Sequence, residues 1–92
     1  MMQIKWSSKA LSDLSRLHEF LAVTNQVAAA KAIQALMKSV NVLAVNPRIG
    51  EQLFAFEPDE VRRLLVGHYE IRYLIDDSTV RILRIWHTRE SR

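Results

Sequence analysis

The chain has 92 residues, 49% apolar and 25% charged, which is room for one small domain and the wrong composition for a disordered segment. It contains no cysteine, so disulfides and thiolate catalysis are excluded. A net charge of +3 and a pI near 9.7 suit an acidic partner without identifying one.

No stretch approaches the roughly 20 apolar residues of a membrane span. The opening Met1-Met2-Gln3-Ile4-Lys5-Trp6 lacks the apolar run of a signal peptide. The expectation is a cytoplasmic protein forming a single domain over residues 1–92.

Gln3 to Trp6 reads as a short strand. Ser7 or Ser8 then caps a helix, since a serine hydroxyl accepts from the free amides of a first turn. Ala10, Leu14, Leu17 and Leu21 recur at helical spacing, with Leu11 and Phe20 beside them. Lys9, Asp13 and Arg16 fall off that stripe and are expected in solvent. Thr24-Asn25 breaks the pattern and caps a second helix from about Gln26 to Ala44, with Ala29, Ile33, Leu36, Val40 and Leu43 as its stripe. Asn46-Pro47 ends it, because proline disfavours helix in the residue before it. The two helices form an antiparallel hairpin.

Arg48 to Glu60 is broken by Gly50 and Pro58 and reads as a loop, with a short extended piece at Leu53 to Phe56. Three strands follow: Val61 to Val66, Tyr69 to Ile75 and Thr79 to His87. Gly67-His68 suits a type II′ hairpin turn, glycine first. The fold class is α+β, a two-layer β-α-α-β-β-β domain with the hairpin of helices on one face of a mainly antiparallel sheet.

The Gly67-His68 turn sets Val66 opposite Tyr69, Leu64 opposite Ile71 and Arg62 opposite Tyr73. Neighbours along a strand alternate faces. Leu64, Val66, Tyr69, Ile71 and Tyr73 therefore face the helices. A three-residue second loop adds Leu83 and Ile85 to that face, and a two-residue loop instead turns Arg84 towards the helices. The three-residue register leaves Val61, Arg63, Leu65, Glu70, Arg72, Leu74, Ile82, Arg84 and Trp86 on the far face, with Glu70 opposite Arg84. Two helices cover one face only, so the far face is expected to meet a partner, unless the 48–60 loop or the C-terminal tail folds across it.

Fragments spread over the chain carry a resemblance. They are Ile4-x-Trp6-Ser7 with Ala10, Asp13-Leu14 and Leu17; Asn25 with Ala28-Ala29; Asn46-Pro47-x-x-Gly50; Glu60-Val61-Arg62; Val66-Gly67-x-Tyr69-x-Ile71-x-Tyr73; and Ile82-Leu83-Arg84-Ile85-Trp86-His87-x-Arg89-Glu90. In order and spacing these resemble the ParE branch of the RelE/ParE toxin superfamily. The resemblance implies a type II toxin neutralised by a cognate antitoxin, with which it forms a hetero-oligomer. RelE-like members cleave mRNA on the ribosome, whereas ParE-like members poison DNA gyrase.

Cutting a phosphodiester needs an activated 2′-hydroxyl, a stabilised transition-state charge and a protonated leaving oxygen. RelE-like enzymes have an arginine after the first tyrosine of the Tyr-x-Ile-x-Tyr strand. Glu70 stands there in this chain, and a carboxylate repels phosphate. No tyrosine follows Tyr73, and the second half holds no lysine. These departures point to gyrase poisoning without catalysis.

The C-terminal residues His87, Arg89, Glu90 and Arg92 are then the candidates for target contact. Arg84, His87 and Arg89 are the catalytic candidates of the alternative, RelE-like reading. A third reading is a degenerate module that only binds antitoxin. Leu11, Met37, Leu53, Leu65 and Trp86 are the antitoxin-binding candidates, through an apolar helix laid beside the helical hairpin or a strand added to the sheet. No His/Asp/Glu group has metal-ligand spacing, no glycine-rich phosphate loop occurs, and no cofactor is expected. As many carboxylates as arginines line the second half, so sequence-specific nucleic-acid binding is not expected.

Overall fold

A computed structural model of the chain describes residues 1–90. Strand β1 (Gln3–Trp6) leads into α1 (Ser8–Ala22) and α2 (Gln26–Val45); β2 (Glu51–Gln52), β3 (Glu60–Val66), β4 (Tyr69–Asp76) and β5 (Thr79–His87) complete the chain. The strands form one sheet in the order β1-β5-β4-β3-β2. All neighbours are antiparallel except β1 and β5, which run parallel with Ile4 beside Val80 and Trp6 beside Ile82. The two helices cover one face, giving the expected two-layer α+β domain.

The caps are those the residue types favour. Ser7 Oγ accepts from the Ala10 amide at 3.0 Å and Asn25 Oδ1 from the Ala28 amide at 3.0 Å. Ser7 Oγ also donates to the Leu83 carbonyl at 2.9 Å, so one hydroxyl starts α1 and fastens it to β5. The helices then deliver Ala10, Leu17, Leu36, Val40 and Leu43 to a core closed by Ile71, Tyr73, Val80, Ile82 and Ile85. At 20 residues and mean hydropathy 1.2, α2 meets the length and composition of a membrane span, contrary to the sequence expectation. Its Leu36, Val40 and Leu43 nevertheless lie in the core packed on the sheet, and Lys31 and Lys38 interrupt it.

The β3–β4 register is the predicted one, from Val66 beside Tyr69 to Arg62 beside Tyr73. Gly67 takes φ +58°, as the first position of a II′ turn requires. The β4–β5 register differs. Its loop is Asp77-Ser78, two residues, with Asp77 at φ +58°. A bulge then separates Arg72, beside Arg84, from Tyr73, beside Ile82. An extra residue in one strand reverses the alternation beyond it. Ile82 therefore enters the core and Leu83 does not, while Ile85 stays buried and Glu70 lies beside Trp86 rather than Arg84.

The 46–60 segment is more ordered than a loop. Pro47–Ile49 and Phe54–Phe56 are 3-10 turns, and the extended piece is Glu51–Gln52, just before the expected Leu53 to Phe56. Tyr73, fully buried, donates its hydroxyl to the Pro47 carbonyl at 2.7 Å and accepts the Gly50 amide at 3.0 Å. Arg62 Nη1 donates to the Gly50 carbonyl at 2.7 Å. A Cβ at Gly50 would stand 2.6 Å from both the Arg63 carbonyl and the Tyr73 hydroxyl, so only glycine fits. Glu60 ties the segment off, bidentate to Arg48 at 2.9 Å and bonded to Arg62 at 2.9 Å.

Candidate functional site

The bulge decides where the chemistry-bearing residues go. On the far face it aligns Arg63, Arg72 and Arg84 on three adjacent strands. Each guanidinium meets a carboxylate of the chain itself: Arg63 with Glu51 at 2.7 Å, Arg72 with Glu70 at 2.9 Å, and Arg84 with Asp13 at 2.9 Å. Glu70 is 1% exposed and lies 3.7 Å from Arg63 as well. Its expected pairing with Arg84 does not form, because the bulge carries Arg84 to the next row and towards α1.

The far face is also partly roofed. The Arg72 guanidinium lies 4.8 Å from the Trp86 ring and 5.6 Å from the Phe56 ring, and that of Arg84 lies 5.6 Å from Trp86. Planar guanidinium groups stack on aromatic faces at these distances. Phe56 comes from the 48–60 segment, which thus does fold across part of the sheet. Trp86 is 5% exposed in consequence. It belongs to this stack and leaves little of its surface to a partner. Leu65 stays open at 56%, and Leu11 and Met37 are exposed on the helices; Leu53 is half-buried, its amide held by the Val61 carbonyl at 2.8 Å.

Asp13 was expected in solvent and is buried. β1 stops at Trp6, so β5 beyond Ile82 has a bare edge, and Asp13 from α1 covers it. The carboxylate accepts the Ile85 amide at 2.9 Å, Arg84 Nε at 2.9 Å and Arg16 at 3.3 Å. Burial alone would raise its pKa, but the hydrogen bonds from Arg84, Ile85 and Arg16 together hold it below the ordinary 3.8.

Arg16 continues to Glu90 at 2.8 Å. Glu90 accepts the His87 amide at 3.1 Å, and its own amide returns to the His87 carbonyl at 2.9 Å. A chain of charges, Arg84–Asp13–Arg16–Glu90, therefore fastens the C-terminal turn to α1. The Glu90 carboxyl, pushed up by burial, is pulled below its usual range by Arg16 and the His87 amide.

His87, Arg89 and Glu90 gather at this corner, and Arg92 lies outside the described residues. Arg84 reaches the corner only through Asp13, since its strand position faces the other side of the sheet from His87. His87 packs edge-on to Tyr69 at 5.3 Å and stacks on His68 at 5.9 Å. Its Nδ1 accepts the Arg89 amide at 3.1 Å. Among the described residues no carboxylate orients the ring, which a general acid–base histidine needs. Nor do they include a group of three or more metal-ligating side chains.

A family model described as the ParE toxin of the type II toxin–antitoxin system parDE matches residues 4–92. The chain belongs to the ParE toxin family. It is 32% identical over 88 residues to the toxin RelE2 of Caulobacter vibrioides, covering 95% of this chain and 96% of that one. It is also similar to a chain of the chromosomal ParDE system from P. aeruginosa, with TM-score 0.79, 27% identity and coverage of 95% and 96%. Within this ParE-family fold, the motif residues Gly50, Glu60, Arg62 and Tyr73 serve the scaffold. Sequence reasoning placed Asp13 and Arg16 in solvent; their Asp-x-x-Arg spacing does not stand out in α1, which also carries Lys9 with Asp13 and Arg16 with Glu19 at helical spacing.

Proposed function

We propose that this ParE-family toxin blocks replication by poisoning DNA gyrase in the cytoplasm, and that a cognate antitoxin neutralises it. One observation carries the choice of target: of the four far-face arginines, the three aligned side by side, Arg63, Arg72 and Arg84, are each paired with a carboxylate of the same chain, and only Arg81, at the β4–β5 turn end, is without an ion pair among the described residues. A phosphoryl transition state needs uncompensated positive charge aimed at it. On the aligned Arg63, Arg72 and Arg84 the charge is already met, and Glu70 stands among them. What remains exposed suits protein partners. Leu11 and Met37 on the helices, with Leu65 on the sheet, are the surface offered to the antitoxin. The C-terminal corner around His87, Arg89 and Glu90 is offered to the target.

The test is a supercoiling assay with purified gyrase, relaxed plasmid, ATP and the purified toxin. Loss of supercoiling with accumulation of linear DNA, reversed by antitoxin, is the expected result. Full gyrase activity at excess toxin overturns the proposal. The gathering of Arg16, Arg89 and His87 at one corner favours ribosome-dependent mRNA cleavage as a second reading. Translating extracts challenged with toxin should keep transcripts intact; cleavage abolished by His87→Ala would establish that reading instead.

A further inference from the structure

His87 carries a titratable ring at the point where β5 gives way to the C-terminal turn, and among the described residues no carboxylate orients it for acid–base chemistry. Its hydrogen bonds show what the ring does instead. Nδ1 accepts the Arg89 amide at 3.1 Å, and a neutral ring that accepts at Nδ1 carries its proton on Nε2. The backbone closes the same turn. The His87 amide donates to Glu90 Oε1 at 3.1 Å, and the Glu90 amide donates to the His87 carbonyl at 2.9 Å. The Thr88 amide donates to the His68 carbonyl at 2.8 Å, which fastens the turn to the β3–β4 hairpin.

A second proton on this ring can enter only at Nδ1. There it meets the Arg89 N–H, and two donors face each other with no acceptor between them. Protonation thus turns this hydrogen bond into a repulsion. The new charge also arrives among cations. Arg16 from α1 and Arg89 from the turn line the same cleft as the ring. The His68 ring from the β3–β4 turn stacks on it at 5.9 Å, and Tyr69 from β4 packs edge-on at 5.3 Å. Glu90 is the carboxylate of this corner, and it is engaged already, by Arg16 at 2.8 Å and by the His87 amide.

We propose that the C-terminal turn is a proton-operated latch, closed while the His87 ring is neutral and released at the Arg89 amide when the ring takes a second proton. The released turn binds one more proton than the closed one, so acid favours release. Histidine is the side chain whose charge ordinarily changes between about pH 5 and 8, so mild acidification suffices. The carboxyls of Asp13 and Glu90 are held below their usual range and stay ionised there. The charge chain Arg84–Asp13–Arg16–Glu90 therefore persists while the latch opens, and the change is confined to the turn. Nothing in this depends on which target the toxin takes: the corner has two shapes, and pH selects between them.

The experiment is a pH titration of the full chain, labelled with nitrogen-15 and carbon-13 and followed by NMR from about pH 8 to pH 5. The chain has three histidines, and the His87 ring is read apart from His18 and His68. Its neutral form should show the proton on Nε2. As it titrates, the Arg89 amide should lose about two- to tenfold of its exchange protection, corrected for the intrinsic rate, at the same midpoint. The Ile85 amide, bonded to Asp13, should stay protected. His87→Asn puts an oxygen that does not titrate in the place of Nδ1 and should hold the Arg89 amide across the range. His87→Phe keeps a ring in the stack without an acceptor and should leave that amide unprotected throughout. His68→Gln should leave the transition in place. An Nδ1–H tautomer in the neutral ring, or unchanged Arg89 protection while His87 titrates, overturns the latch. So does a transition that survives in His87→Asn, or a turn that tightens in acid because Glu90 captures the imidazolium.

Discussion

Replacing Asp13 by alanine removes a buried carboxylate that serves three donors, and its cost follows from what each donor loses. The Ile85 amide is buried and has no water to turn to. Leaving such a donor unpaired costs about 1–3 kcal/mol. Arg84 and Arg16 are 42% and 46% exposed at the side chain, so solvent recovers most of their loss, leaving about 0–1 kcal/mol. The sum is about 1–4 kcal/mol, a fall in Tm of roughly 4–30 °C for a domain of this size. Asp13→Asn keeps the volume and one acceptor for Ile85 but turns an amide NH2 towards guanidinium donors, and should fall between.

The pH dependence is specific too. The folded Asp13 pKa lies below its ordinary 3.8, so its stabilisation is complete above that value and is lost as pH falls through the folded pKa. Melts followed by circular dichroism from pH 7 to pH 2.5 should show wild type converging on the Asp13→Asn variant in acid. An alanine variant melting within about 2 °C of wild type at pH 7 would refute the accounting.

Tyr73→Phe removes both a donor to Pro47 and an acceptor for Gly50; it should cost about 1–2 kcal/mol and speed hydrogen exchange at the Gly50 amide more than at the sheet centre. Gly50→Ala meets a backbone carbonyl at 2.6 Å and should destabilise more than Tyr73→Phe, read in the same denaturant titration. Leu11→Glu and Met37→Glu place charge on the surface proposed for the antitoxin; each should weaken the complex by calorimetry, and unchanged affinity for both would send the antitoxin elsewhere.

Most of the architecture was legible because its signals are local. Helical spacing, the Ser7 and Asn25 caps, Asn46-Pro47 and the Gly67 turn are each read within a few residues. The far-face chemistry was not legible, because one bulge controls it. Asp77-Ser78 closes the hairpin a residue shorter than expected, and the bulge at Leu83 adds a second residue of shift, which restores the alternation of faces but moves the pairing two places. That shift replaces a Glu70–Arg84 pairing with Glu70–Trp86 and sends Arg84 to Asp13. Nothing within the strand's alternation announces a bulge, and Asp13 looks like a surface residue until the bare edge of β5 is known. The C-terminal corner was half legible: His87, Arg89 and Glu90 were candidates, but Arg16 and Phe20 reach them only through the packing of α1.

The parallel pairing of β1 with β5 also orders events in time. Residues 3–6 find their sheet partner at 79–82, and Asp13 finds Arg84 and Ile85 71 and 72 residues on. During synthesis the helical hairpin therefore emerges with its apolar stripe uncovered, and the first strand waits for the last. Contacts this distant in sequence make closure slow relative to local helix formation. The fold is completed from its C-terminal end, and the corner holding His87, Arg89 and Glu90 takes shape in the same step that seals the core.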